Sequence, residues 1–170
     1  MTPALSARHL LAPPVEKALP AWSYADQVLV ARIDPQLADT AAFCEAYQVA
    51  PEVSANCVVV SGKREGETRY AACLVLATTR ADVNGVVRRR LDVRKASFAA
   101  TADAVALTGM EYGGITAIGL PEGWPVLVDA AVAATPFVIV GSGIRGSKLA
   151  VPGPALHTLP GAEVIEGLAR

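Results

Sequence analysis

The apolar residues of the chain fall into short runs whose spacing alternates between that of strands and that of helices. Two runs rich in valine and leucine, at 57–61 and 70–77, lie on either side of GKREGETR and predict a β-hairpin with a long charged tip. Two further runs, at 137–141 and 147–151, flank GSGIRG and predict a second hairpin. The remaining strands are expected at 28–33, 94–99, 125–129 and 163–165.

Helical spacing appears between these strands. Asp34 is a natural N-cap and Pro35 a natural first-turn residue, so a helix is predicted to begin there and to run to about Tyr47. Gly109 is expected to end another helix in the left-handed conformation. Helices and helical turns are predicted at 34–47, 82–91, 101–108, 130–134 and 154–159. Because hairpins and helices are mixed without a regular strand–helix–strand order, the sequence predicts an α+β fold with a mixed sheet.

The first 27 residues differ from the rest of the chain. Four prolines between residues 3 and 20 interrupt their apolar runs, so residues 1–27 are predicted to form a loosely ordered N-terminal arm with a short helix around 15–19. Residues 28–170 then form the domain proper. A chain of 170 residues is long enough to bury one core and too short to need two, which predicts a single domain.

Composition excludes several classes of protein. Although 52% of the residues are hydrophobic, no apolar stretch approaches the roughly 18–20 residues that a membrane helix needs, so no membrane partner is expected. Arg8 and His9 interrupt the apolar residues of the N-terminus, which predicts a cytoplasmic protein without a secretory signal. Cys44, Cys57 and Cys73 match no CxxC spacing, and the chain has only two histidines. Neither a metal nor another cofactor is therefore expected.

The charge is unevenly distributed although the net charge is only −1. Residues 56–95 carry nine basic and four acidic residues, whereas the segments on either side are acidic. Arg88, Arg89 and Arg90 form the densest part of this basic centre. Such a run is typical of a solvated helix face, and the alternative is a patch that contacts RNA phosphates without reading sequence. The low net charge argues against a strongly basic DNA-binding protein, so DNA is not an expected partner.

Two glycine-rich segments carry the candidate chemistry. The segment 141–146 matches GxGxxG, but a dinucleotide site needs a helix after the third glycine, and the residues from Ser147 onward alternate like a strand. It is predicted to be a tight hairpin loop, or a loop that lets a ligand approach while Arg145 binds a phosphate or carboxylate. The segment 113–116 offers backbone N–H groups suited to an anion or a developing oxyanion, or is a plain loop. Both loops are expected to flank the strand at 125–129 and to rim a cleft whose floor is the sheet.

From Ala55 to its C-terminus, the chain resembles the YbaK/EbsC-like aminoacyl-tRNA deacylases, also known as the prolyl-tRNA synthetase-associated editing domain. The resemblance lies in the order of the elements and in the signatures TG-x-x-x-GGIT-x-x-G from Thr108, Val128-Asp129, and G-x-G-x-RG from Gly141. It implies one domain with a central mixed, curved β-sheet flanked by helices. It also implies trans-editing, which is hydrolysis of the ester between a small, wrongly attached amino acid and the 3′-terminal adenosine of a tRNA. The implied partners are the aminoacyl-tRNA acceptor end and an aminoacyl-tRNA synthetase.

The same resemblance assigns roles to individual residues. The ester is expected to be held by the loop Gly113, Gly114, Ile115 and Thr116, whose amides can stabilise a tetrahedral oxyanion. The pocket is expected to be lined by Gly141, Gly143, Arg145, Gly146 and Lys148. Contacts with the tRNA are expected from Arg88, Arg89 and Arg90. An aminoacyl ester is already activated, so a site that positions water and stabilises the oxyanion needs no catalytic triad.

Two positions depart from the pattern of the family. Many members carry a lysine in the first hairpin strand that contacts the terminal adenosine, and Asn56 stands at this position. Asparagine can orient the terminal nucleotide by hydrogen bonds but cannot neutralise a phosphate. Lys148 stands where some members have an acidic residue, so positive charge is relocated within the pocket. The alternative function is therefore a catalytically silent module that binds tRNA ends or aminoacyl-adenosine.

Overall fold

Nine strands and five α-helices make up the computed structural model, which describes all 170 residues. The strands are β1 Thr2–Pro3, β2 Leu29–Arg32, β3 Ala55–Arg64, β4 Glu67–Leu76, β5 Ala96–Phe98, β6 Val126–Asp129, β7 Phe137–Gly141, β8 Ser147–Pro152 and β9 Ala162–Ile165. The helices are α1 Pro13–Ala18, α2 Thr40–Tyr47, α3 Arg88–Leu91, α4 Thr101–Thr108 and α5 Ala130–Ala133. No helix has both the length and the apolar character that crossing a membrane requires.

The strands form two sheets that share one core. The first sheet is antiparallel with the order β1-β2-β8-β7, and the second is mixed with the order β5-β3-β4-β6-β9. The main core cluster takes residues from both sheets, including Val30 and Leu149 from the first and Leu74 and Val128 from the second. The predicted α+β class is confirmed. The predicted central sheet is divided in two. Strand β8 pairs with β2 and β7, and none of these three strands belongs to the sheet of the β3–β4 hairpin.

Local sequence signals placed most elements correctly. Helix α4 covers the predicted residues, and Gly109 ends it with a φ of 67°. The β3–β4 hairpin turns in only two residues, Glu65 and Gly66, because both adopt positive φ, at 51° and 81°. Most of the predicted charged tip is therefore strand. Helix α2 begins at Thr40 with Asp39 as its N-cap, six residues later than predicted, because Pro35–Leu37 forms a separate 3₁₀ turn.

The prediction of a loosely ordered N-terminal arm is wrong. Its apolar side chains lie in the main core, where Leu10, Val15 and Leu19 are at most 9% exposed. Strand β1 pairs with β2, and the Ser147 hydroxyl donates a hydrogen bond to the carbonyl of Leu10. The prolines do not loosen this segment because they begin short helical turns, where a missing N–H costs nothing.

Candidate active site

A cavity of about 390 Å³ opens between β3, the N-terminal ends of α2 and α4, and the two glycine loops. Its lining consists of Ala38, Asp39, Thr40, Ala55, Asn56, Cys57, Val58, Val59, Phe98, Ala99, Thr101, Ala104, Tyr112, Gly113, Ile115, Gly141 and Lys148. The volume is in the range of small-molecule sites. Its floor is β3 of the second sheet, whereas β6, the strand expected between the two loops, lies on the far side of β4. We refer to it as the first cavity.

The loop at 111–116 is shaped by a tight turn. The Gly114 N–H donates to the Glu111 carbonyl at 2.9 Å, and Gly113 has a φ of 85°, a value that strains any residue with a Cβ. A Cβ on Gly114 would lie 2.6 Å from the carbonyl carbon and oxygen of Ile144. Both glycines are therefore required by geometry, one for its backbone angle and the other for its close contact.

Along this loop, backbone amides that are hydrogen-bonded within the protein alternate with amides that are not. Those of Gly114 and Thr116 are bonded within the protein, the first to Glu111 and the second to the Met110 sulfur at 3.4 Å. Those of Gly113 and Ile115 make no hydrogen bond, and both residues line the first cavity. Thr116 is only 1% exposed, and its hydroxyl oxygen has no partner. Of the four predicted ester-holding residues, Gly113 and Ile115 line the first cavity, and Gly114 and Thr116 do not.

The two glycine loops are held together by hydrogen bonds. The Gly143 N–H donates to the Gly114 carbonyl at 2.7 Å, and the Glu111 N–H donates to the Gly143 carbonyl at 2.8 Å. The carboxylate of Glu111 accepts a third bond from the Arg145 N–H at 2.6 Å. These contacts fix where the free amides of Gly113 and Ile115 point, so the loops are preorganised for a ligand.

The predicted pocket residues divide between the cavity wall and its support. Gly141 and Lys148 line the first cavity, and a Cβ on Gly141 would lie 2.8 Å from the Ile115 carbonyl oxygen. Gly143 does not line it, because it packs against Ala12 in the N-terminal segment. Gly146 is also outside the lining, next to Pro35.

Arg145 is engaged by the protein itself. Its guanidinium donates to the carbonyls of Pro35 and Tyr112, each at 3.1 Å, and lies 3.5 Å from the Asp39 carboxylate. The side chain is outside the cavity lining, which corrects its prediction as a pocket residue. These bonds connect the segment before α2 to the loop at 111–116, which we call the ester loop, so Arg145 positions one rim of the first cavity.

Asn56 faces the first cavity from the start of β3. Its side-chain oxygen accepts a hydrogen bond from the Thr40 hydroxyl at the N-terminal end of α2. This contact leaves the two amide N–H donors available to a ligand. The predicted position of Asn56 in the site therefore agrees with its place in the cavity wall.

Lys148 is the buried cation of the site. The residue is 7% exposed, and its ammonium lies 5.2 Å from the centroid of the Phe43 ring. Burial lowers the pKa of this amine from 10.5, and Arg145 lowers it further, while Cys44 and Asp39 oppose the shift. No hydrogen bond or salt bridge engages the ammonium.

The thiol in the wall of the first cavity, that of Cys57, is a poor nucleophile. Cys57 lines the first cavity, but burial, reinforced by Cys73, raises the pKa of its thiol well above the ordinary value. A protonated thiol is a poor nucleophile. No group of three or more histidine, cysteine, aspartate and glutamate side chains is arranged to hold a metal ion.

The predicted tRNA-contacting arginines lie away from the first cavity. The Arg88 side chain donates to the Asn84 carbonyl at 2.8 Å, and Arg90 pairs with Glu163 of β9. None of Arg88, Arg89 and Arg90 lines the first cavity. The separation arises because α3 packs on the outer face of the second sheet, against residues such as Val60 and Leu127.

A different group of basic residues lies close to the first cavity. Lys63, Arg94 and Lys95 line a groove that we call the basic groove. The groove also contains Ser97, next to the cavity residue Phe98, and Asp103 of α4. Lys63 was missed because its β3 position is brought next to β5 only by strand pairing, in which Gly62 lies opposite Ala96.

A second cavity, of about 570 Å³, lies elsewhere in the molecule, between the end of α1 and the loops at 117–125 and 158–161. Within its lining, the Trp22 indole donates to the Thr158 hydroxyl at 2.7 Å. Trp124 stacks on Tyr70 with ring centroids 5.1 Å apart. Arg90, the one lysine or arginine in the lining, pairs with Glu163.

The family model of the aminoacyl-tRNA editing domain matches residues 34–159, and the chain belongs to this family. No curated protein matches the chain by sequence. Among solved structures, one provisionally assigned as a trans-editing enzyme for prolyl-tRNA synthetase is 21% identical, with a TM-score of 0.75, 91% of this chain covered and 94% of that one.

Two other solved structures show the same fold. The hypothetical protein APE2540 is 18% identical, with a TM-score of 0.78, 92% of this chain covered and 99% of that one. A protein from Marinobacter aquaeolei VT8, provisionally assigned to signal transduction, is 16% identical, with a TM-score of 0.58. The match covers 92% of this chain and 30% of the Marinobacter protein. At these identities, the likeness concerns the fold alone.

Proposed function

We propose that this protein is a trans-editing aminoacyl-tRNA deacylase, which hydrolyses the ester of a tRNA wrongly charged with a small amino acid. In this proposal the protein acts in the cytoplasm. The terminal adenosine of the tRNA and its aminoacyl group enter the first cavity. An aminoacyl-tRNA synthetase is the expected source of the mischarged tRNA. The observation that carries the proposal is the pair of unbonded amides, Gly113 N–H and Ile115 N–H, on the cavity wall.

The two amides suit the chemistry of ester hydrolysis. When water adds to the ester carbonyl carbon, the carbonyl oxygen becomes an oxyanion, and preorganised N–H donors stabilise it. One such donor is worth about 2.7–4 kcal/mol in the transition state. The tetrahedral intermediate then expels the ribose 3′-oxygen, which takes up a proton. The products are the free amino acid and the uncharged tRNA.

Neighbouring groups have roles that need no catalytic triad. The Asn56 amide donors face the cavity and suit hydrogen bonds to ribose oxygens. The 2′-hydroxyl of the substrate lies next to the reacting ester in any such complex and can orient the attacking water. Because burial raises the pKa of Cys57, direct attack by water is favoured over a covalent thioester.

The basic groove suits the acceptor stem. Lys63, Arg94 and Lys95 share their groove with Ser97 and Asp103, which are next in sequence to the cavity residues Phe98 and Ala104, so a duplex whose 3′ end enters the cavity is proposed to pass over this groove. Lysine and arginine side chains hold phosphates without reading sequence. We therefore transfer the proposed tRNA contact from Arg88, Arg89 and Arg90 to this groove.

The test is a deacylation assay with a panel of labelled mischarged tRNAs. At least one ester carrying a small amino acid is expected to be cleaved faster than in buffer. In the variant Gly114→Val, the new side chain collides with the Ile144 backbone, so cleavage should be lost. Gly66→Ala is the control for a destabilising glycine substitution away from the cavity, because its new methyl group meets no atom within 4 Å but strains a φ of 81°. If every ester is as stable as in buffer, the hydrolase proposal fails.

A silent binding module is the second candidate, and the neutral side chain of Asn56 is the observation that favours it. Under this alternative, charged tRNA binds without being cleaved. The variant Asn56→Lys would then gain cleavage, whereas the deacylase proposal expects cleavage by the wild-type protein and a loss in Asn56→Ala.

A further inference from the structure

Lys148 is a buried cation that the protein leaves without an anion. The residue is 7% exposed, and none of the four salt bridges includes it. Asp39 is the nearest candidate carboxylate, but it is 73% exposed and turns toward Arg145. Burying an unpaired ammonium is costly, and an anionic ligand removes that cost.

The position of Lys148 directs its side chain into the first cavity. Lys148 lies opposite Gly141 in the β7–β8 ladder, and paired residues project from the same face of a sheet. On that face, the Cβ position of Gly141 abuts the carbonyls of Gly114 and Ile115. The ammonium and the ester loop therefore share one wall of the cavity.

Two helix N-termini add to the positive potential of the same cavity. Helices α2 and α4 are each eight residues long, and neither has a side-chain cap. Thr40 and Thr101, their first residues, both line the cavity. Unbonded N–H groups in a first turn favour a nearby negative charge. Burial lowers the pKa of Lys148, so its surroundings disfavour the charged form, which a bound anion would stabilise.

We propose that the first cavity binds an anionic oxygen group of its ligand at Lys148. Two parts of a charged tRNA end supply such a group: a carboxylate on the side chain of the attached amino acid, or the phosphate on the 5′ side of the terminal adenosine. The choice of a charged tRNA end as the ligand rests on the proposed deacylase function, whereas the anion site itself is argued from the structure around Lys148. It makes Lys148 a specificity-determining residue of the site.

The experiment measures binding of non-hydrolysable analogues in which an amide replaces the ester of aminoacyl-adenosine. The probes carry an alanyl, asparaginyl or aspartyl group, each with and without a 5′-phosphate. Isothermal titration calorimetry compares the wild-type protein with Lys148→Met and Lys148→Arg. Lys17→Met removes an exposed lysine and is the matched control.

In the wild-type protein, the anion that Lys148 recognises should tighten binding about 10- to 100-fold, as a charge-assisted hydrogen bond does. A gain of aspartyl over asparaginyl identifies the side-chain carboxylate, and a gain from the 5′-phosphate identifies the phosphate. The gain should disappear in Lys148→Met and persist in Lys148→Arg and Lys17→Met. If neither anion tightens binding to the wild-type protein, or if the gain persists in Lys148→Met, the inference is overturned.

This outcome is separable from that of the deacylation assay, because amide analogues bind whether or not the protein hydrolyses esters. Cleavage without an anion-dependent gain contradicts only the role of Lys148. An anion-dependent gain without cleavage contradicts only the hydrolase proposal.

Discussion

The larger of the two cavities is the one whose cationic side chain is already paired within the protein. The second cavity is larger, at about 570 Å³ against about 390 Å³. Its arginine and its tryptophan Trp22 are nevertheless paired with other protein groups. The first cavity holds an ammonium without an anion and the free donors of Asn56. Unbonded backbone N–H groups occur at both cavities, at Gly113 and Ile115 in the first and at Gly119 and Gly123 in the second.

This contrast shows that an unpaired cation and free side-chain amide donors distinguish the first cavity, whereas empty volume and unbonded backbone amides do not. Folding normally pairs buried polar groups, since leaving one unpaired costs about 1–3 kcal/mol. Two polar side chains with unpaired donors in the wall of one cavity, Asn56 and Lys148, therefore indicate that a ligand completes their hydrogen bonds. The predictions below compare changes at the first cavity with matched changes elsewhere.

The largest effect is expected from alanine substitution of a positive-φ glycine at each cavity. In Gly113→Ala, the new methyl group strains a φ of 85° and displaces the Arg145 guanidinium, whose bonds to the Tyr112 and Pro35 carbonyls hold the ester loop, so deacylation should fall about 100-fold or more. Gly123→Ala at the second cavity has a similar φ, 84°, but no atom within 4 Å of the Cβ position. Both variants should lose about 1–2 kcal/mol of stability through φ strain. Equal deacylation by the two variants would remove the distinction between the cavities.

The next effect concerns the basic groove. Lys95→Glu should weaken binding of an uncharged tRNA roughly 10-fold at low salt. It should also reduce the magnitude of the negative slope of log K against log salt by about one. Arg89→Glu makes the same change of charge on the helix that lies away from the first cavity, and it should have little effect. Filter binding over a salt series measures both quantities. A larger effect of Arg89→Glu would restore the arginine run as the contact.

The third prediction uses the lowered pKa of Lys148. Between that pKa and 10.5, the unfolded chain binds more protons at this amine than the native protein does, so wild-type stability should rise with pH. Lys148→Met has no such group and should be the more stable protein at neutral pH, with an advantage that shrinks as the pH approaches 10.5. Urea unfolding of both proteins across this range measures the difference. A difference that is independent of pH would mean that the amine is not perturbed.

The smallest effect is expected at the second cavity. Arg90 and Glu163 are both nearly half exposed, and such a pair contributes at most about 1 kcal/mol. Arg90→Ala should therefore change the free energy of unfolding by less than that and leave deacylation unchanged. A marked loss of activity would show that the second cavity is coupled to the site.

The sequence determined those parts of the protein that depend on neighbours along the chain. Periodicity and end signals located both hairpins and α4, and the glycine spacing marked both loops. Glu65-Gly66 shows the limit of this reasoning: the positive φ of both residues shortened a predicted loop to two residues. Helix α2 shows a second limit. Asp34-Pro35 is the stronger start signal in the sequence but begins only a 3₁₀ turn, and the helix begins after Asp39.

Tertiary structure alone decided which of these residues form the site. The sequence marked four consecutive amides, but only the fold of the loop leaves Gly113 and Ile115 unbonded, and the bond from the Gly143 N–H to the Gly114 carbonyl fixes that loop in place. It marked a run of arginines, but the pairing of β3 with β5 brings Lys63 to Lys95. Burial of Lys148 likewise depends on α2 lying over β8, about one hundred residues away in sequence. Such contacts follow from the summed burial of apolar surface across the whole chain, which no local pattern encodes.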